Sequence, residues 1–98
     1  HGVKFAQTNG RDCTVTGNVI VDCDCLDSET YSGVAILGDR VAVVGNRIDN
    51  CDKYAIHVTS TANKCLVLGN QCTVYAGASL GVIQDDGTDT VVEHNVVT

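Results

Sequence analysis

Four stretches decide the reading of this chain: Cys13-Thr-Val-Thr-Gly-Asn18, Val41-Ala-Val-Val-Gly-Asn46, Cys65-Leu-Val-Leu-Gly-Asn70 and Thr90-Val-Val-Glu-His-Asn95. They align without gaps, and their Asn residues fall 28, 24 and 25 positions apart. Two places after each Asn comes an apolar residue or a Cys: Ile20, Ile48, Cys72 and Val97. A shorter motif precedes each stretch: Gly2-Val3-Lys4-Phe5, Gly33-Val34-Ala35-Ile36, Ala55-Ile56-His57-Val58 and, less cleanly, Gly81-Val82-Ile83-Gln84. A recurrence at one fixed period is the signature of a repeat architecture.

Within each unit the apolar residues alternate, as in Val34/Ile36, Val41/Val43 and Ile56/Val58, which is the strand period of two. No stretch combines a helix cap with an i, i+3, i+4 apolar stripe. The ten Gly, the absence of Pro and the abundance of Val and Ile agree with β structure. Three short strands in about 24 residues make one turn of a solenoid, whose successive turns stack through parallel strands about 4.8 Å apart. The expected fold class is therefore all-β, a right-handed parallel β-helix of about four coils. It forms a single domain over 1–98. The lack of capping elements leads to the expectation of a segment of a longer solenoid, or of ends covered by partner chains.

The pattern Gly-Val-x-Ile, a turn, then Val-x-Val-x-Gly-Asn-x-Ile resembles the coils of the pectate-lyase-like superfamily, and bacteriophage tailspikes most of all. The resemblance implies that Asn18, Asn46, Asn70 and Asn95 form an inward amide ladder, each carboxamide satisfying its neighbours. It also implies a segment that recognises bacterial surface polysaccharide, with depolymerisation by a hydrolase or lyase activity of the full-length protein left open. A non-catalytic structural or adhesive spacer is the alternative. Tailspikes are trimers packed side by side, and the outward residues Ala42, Val44, Leu66, Leu68 and Val91 make an apolar strip suited to a homotrimer interface.

Charge and composition narrow the partners. Twelve acidic residues against six basic ones leave a net charge of −6, which disfavours nucleic acid. No apolar run is long enough for a membrane-spanning helix. Two columns test the stacking: Asp12, Arg40, Lys64 and Asp89 in one, and Arg11 opposite Asp39 in another, with charges opposed between the first two and the last two coils. Among candidate site residues, His57 lies on an outward strand face, with Asp85 and Asp86 one coil above as possible catalytic carboxylates. Lys4, Ala35, His57 and, approximately, Ile83 form the outward row, and Lys4 and Asp39 are candidate ligand-binding residues. Asp22, Asp24 and Asp52 form an acidic group, Asp24 stacking on Asp52 and Asp22 on Asn50, that calcium would bridge, against the alternative of a solvated turn. Arg47 is outward, but the lyase motif that would make it a base is absent.

Six Cys in so short a chain raise the question of a disulfide framework. Cys13 and Cys65 share a column but are separated by Val41, beyond the roughly 7 Å reach of a bridge. Most of the six are therefore expected to be buried thiols, with Cys23–Cys51 the one conceivable disulfide. Cys23, Cys25, Cys51 and His57 form a weak zinc alternative. Free core thiols imply folding in a reducing cytoplasm, followed by a virion or extracellular location.

Overall fold

A computed structural model describes residues 3–5, 10–21, 32–51, 54–74 and 82–97. The described residues are all-β, with parallel strands and no helix. The twelve strands are β1 (Val3–Phe5), β2 (Thr14–Thr16), β3 (Val19–Val21), β4 (Val34–Ile36), β5 (Ala42–Val44), β6 (Arg47–Cys51), β7 (Ile56–Val58), β8 (Leu66–Leu68), β9 (Gln71–Val74), β10 (Ile83–Asp85), β11 (Val91–Glu93) and β12 (Val96–Val97). They form three four-stranded sheets: β1-β4-β7-β10, β2-β5-β8-β11 and β3-β6-β9-β12. Each repeat thus gives one strand to each sheet, and each strand pairs with its equivalent in the next repeat. The register matches the aligned columns, with Val15 beside Val43 beside Val67 beside Val92, and Ile20 beside Ile48 beside Cys72.

Two left-handed corners per repeat turn the chain from sheet to sheet. Gly17, Gly45 and Gly69 have φ of +68°, +67° and +63°, which glycine adopts without a Cβ clash, and His94 takes the same corner at +56°. The second corner is the charged column itself: Asp12, Arg40, Lys64 and Asp89 all have φ between +54° and +58°. Sequence pattern marked that column by charge and gave no sign of its backbone conformation.

The alternating residues Val34, Ile36, Val41, Val43, Ile48, Ile56, Val58 and Val67 are at most 1% exposed and fill the space between the sheets. Cys65 and Cys72 are buried in the same core, and Cys13, Cys65 and Cys72 are free thiols. Cys23 and Cys25 lie outside the described residues, as does the side chain of Cys51, so the expectation for the Cys23–Cys51 pair falls outside them too.

The fourth repeat corrects one alignment. Ile83, expected in the outward row, pairs with Ile56 and faces the core, while Gln84 pairs with His57 and faces out. A one-residue slip in a strand exchanges its two faces. Here Asp85 replaces the apolar residue of the Ile36 and Val58 column, which obscures the alternation. Electrostatics also differ from expectation in one place. Arg40 grips Asp12 through Nε to Oδ1 and Nη2 to Oδ2 (the latter 2.9 Å), and Arg11 Nη2 reaches Asp39 Oδ2 at 3.5 Å. Among the described residues, Lys64 and Asp89 form no such pair. A single solvated ammonium gains little from an exposed carboxylate.

Candidate functional site

The amide ladder is the best-defined polar construction in the molecule. Asn46 Oδ1 accepts from the backbone N–H of Asn18 (3.0 Å) and from its Nδ2 (3.2 Å), and Asn70 Oδ1 does the same for Asn46 at 3.0 and 3.0 Å. Asn95 Oδ1 repeats this for Asn70 at 2.9 and 3.0 Å. The remaining amide hydrogen of each upper Asn goes to a carbonyl one repeat below: Asn46 to Val15, Asn70 to Val43 and Asn95 to Val67. Asn46 and Asn70 are 2% and 1% exposed, so these bonds satisfy groups that burial would otherwise penalise. The ladder is a structural feature of the corner.

Asp39 is built into a similar device. Its Oδ1 accepts from the Asn63 backbone N–H (3.0 Å) and from Asn63 Nδ2 (3.2 Å), and these bonds, with Arg11 nearby, hold its carboxyl below the usual carboxylate range. The donation here runs from the upper repeat to the lower, opposite to the Asn ladder. Arg40 likewise lowers the carboxyl of Asp12 and is itself held more firmly protonated. Asp39 is thus anchored to the backbone of the next repeat, which restrains the ligand-binding role considered for it.

The outer face of the first sheet carries the polar group with most chemical potential. By register the row runs Lys4, Ala35, His57, Gln84. Ala35 is only 2% exposed, so the row is covered in the second repeat and opens at the third and fourth. There His57 Nε2 lies 3.0 Å from Asp86 Oδ2, and Gln84 Nε2 donates to the other oxygen of Asp86 at 2.8 Å. The Tyr54 ring sits against the His57 ring, with centroids 4.9 Å apart and planes inclined by 56°. Asp85 turns away from this group, its Oδ1 accepting the Gly87 N–H at 3.0 Å and closing the turn after β10.

Of the proposed residues, the structure therefore brings His57 and Asp86 together and assigns Asp85 to a turn. Lys4 belongs to the row by register, and its side chain lies outside the described residues. Asp22, Asp24 and Asp52 also lie outside them. Among the described residues, no group of three or more His, Cys, Asp or Glu could hold a metal ion. Sequence reasoning missed Gln84 because of the register slip. It missed Tyr54 because that residue precedes the strand motif, although one of only three Tyr directly before a repeat was an available signal.

The apolar strip faces outward on the second sheet: Leu66 and Val91 are 40% and 39% exposed, and Ala42, Val44 and Leu68 are half-buried around the buried Val43 and Val67. No helix among the described residues is long and apolar enough to cross a membrane. No protein-family model matches the chain, and the searches of curated proteins and of solved structures found no similar protein.

Proposed function

We propose that the chain is a segment of a right-handed parallel β-helix resembling the coils of bacteriophage tailspikes. Its role is to recognise bacterial surface polysaccharide on the outer face of the first sheet. The observation that supports this reading is the cluster of Tyr54, His57, Gln84 and Asp86 on two consecutive repeats. An aromatic ring offers a flat apolar surface to the C–H face of a sugar, and neighbouring polar groups bond its hydroxyls. The Asp86 carboxylate, held by two neighbours, is oriented before any sugar arrives, which lowers the entropic cost of binding. Three copies pack side by side along the second sheet, covering Leu66, Leu68 and Val91.

The test is titration with capsular and O-antigen glycans, followed by assay for new reducing ends. Saturable binding that Tyr54→Ala and Asp86→Asn each weaken by about tenfold, equivalent to about 1.4 kcal/mol, supports the reading. Binding unchanged in both variants, or no binding to any glycan, removes it. Reducing-end release would extend it to depolymerisation. Sedimentation separates the trimer from a monomer: a trimer that dissociates on Leu66→Glu is expected, and a stable wild-type monomer refutes it.

A spacer without glycan affinity is the second reading. One observation favours it: among the described residues considered for binding, Asp39 and Asp85 both accept from backbone amides.

A further inference from the structure

The outer face of the first sheet is rich in acceptors and poor in donors. An ionised carboxylate only accepts, so the 3.0 Å contact between His57 Nε2 and Asp86 Oδ2 places the proton of a neutral imidazole on Nε2. The other ring nitrogen, Nδ1, is then an acceptor, and no described residue donates to it. Gln84 repeats the pattern. Its Nε2 donates to Asp86 Oδ1 at 2.8 Å, and its Oε1 is an acceptor without a donor among the described residues. Each side chain thus spends a donor on Asp86. Apart from the second amide hydrogen of Gln84, what the two offer a ligand is acceptors beside a carboxylate.

Charge and ring chemistry agree with this. Asp85, exposed in the preceding position, adds a second carboxylate. The described arginines direct their charge elsewhere: Arg11 to Asp39, Arg40 to Asp12 and Arg47 to Asp49. The Tyr54 ring lies tilted against that of His57, and an aromatic face attracts a cation as well as the C–H face of a sugar.

From this we infer that the sugar recognised at Tyr54, His57, Gln84 and Asp86 carries a free primary amine: an amino sugar that is not N-acetylated. This rests on the glycan reading above and adds the chemical class of the ligand. An ammonium has three donors and no acceptor, the complement of His57 Nδ1, Gln84 Oε1 and the Asp86 charge. N-acetylation removes the charge, leaves one hydrogen on the nitrogen and brings a carbonyl acceptor among acceptors. A sugar bearing a carboxylate or sulfate fits worse still, because its anion meets Asp85 and Asp86. The net charge of −6 acts in the same direction at longer range.

The experiment is paired calorimetric titration with a glucosamine tetramer and its fully N-acetylated counterpart, which differ only at nitrogen. The free amine should bind about fivefold more tightly, the scale of one partly screened charge contact. That margin should shrink as salt rises. Asp86→Asn should bind the two tetramers about equally, and Gln84→Lys should reverse their order. Equal binding by the wild type, or tighter binding of the acetylated tetramer, overturns the inference and leaves the glycan reading standing. If neither tetramer binds, the inference falls, and the capsular and O-antigen glycans decide the wider reading separately. A tetralysine peptide bound as tightly as the glucosamine tetramer, with the same loss in Asp86→Asn, also overturns it, since the occupant would then be a basic peptide.

Discussion

At the scale of single residues, burial decides what each repeated side chain is worth. Asn46 and Asn18 occupy one column, yet Asn46 is 2% exposed and Asn18 is exposed. Asn46→Ala removes the acceptor of the Asn18 amide groups and the donor to Val15, so it should cost about 3 kcal/mol, against less than about 1 kcal/mol for Asn18→Ala. Urea midpoints of the two variants check this, and equal losses would contradict the ladder's role. Cys72 gives a pH dependence. Burial raises its thiol from an ordinary 9.0 to about 11. Above pH 9 the unfolded chain releases this proton while the folded chain retains it, so stability falls between pH 9 and 11. Cys72→Val should shrink that fall in urea melts at pH 8 and 10.5. Cys65, also raised by burial, retains part of it.

At the scale of elements, legibility followed the corners. Where a Gly-Asn corner fixed the register, as at β5 and β8, alternation alone placed Val43 and Val67 inside and Ala42 and Leu66 outside. At β10 no Gly-Asn pair follows the strand, and the acid in the core column concealed the register. The candidate site spans β10, so Asp86 was legible as a carboxylate near His57 while Gln84 and the turn role of Asp85 were not. Pattern reports which face a residue takes, whereas hydrogen bonds between repeats depend on a register known to one residue. The turn after β10 is tight as well. A Cβ on Gly87 would lie 2.8 Å from Thr90 Oγ1, 2.8 Å from Val58 Cγ1 and 3.0 Å from Ala62 O. Because one of these is backbone and another is a core side chain, Gly87→Ala should destabilise by about 2 kcal/mol. A thermal melt shows it, and an unchanged midpoint would mean that the turn yields.

At the scale of the whole molecule, each described strand pairs with its equivalents in adjacent repeats, so stability is a sum of repeat and interface contributions. Such a stack should open from its least covered repeat rather than all at once. The second and third repeats hold the fully buried Val43, Ile48, Ile56 and Val67, whereas Val96 and Val97 of the fourth are 56% and 49% exposed. Native-state hydrogen exchange should therefore show the slowest amides in β5 and β8, faster ones in β11, and the fastest in β12. Asn95→Ala cuts the ladder between the third and fourth repeats, removing the Oδ1 that accepts from the Asn70 backbone and side-chain N–H groups and the Nδ2 that donates to Val67 O. It should speed exchange in β11 and β12 much more than in β2 and β5. Uniform protection across all four repeats, rising and falling together in the variant, would mean that the stack unfolds as one cooperative unit.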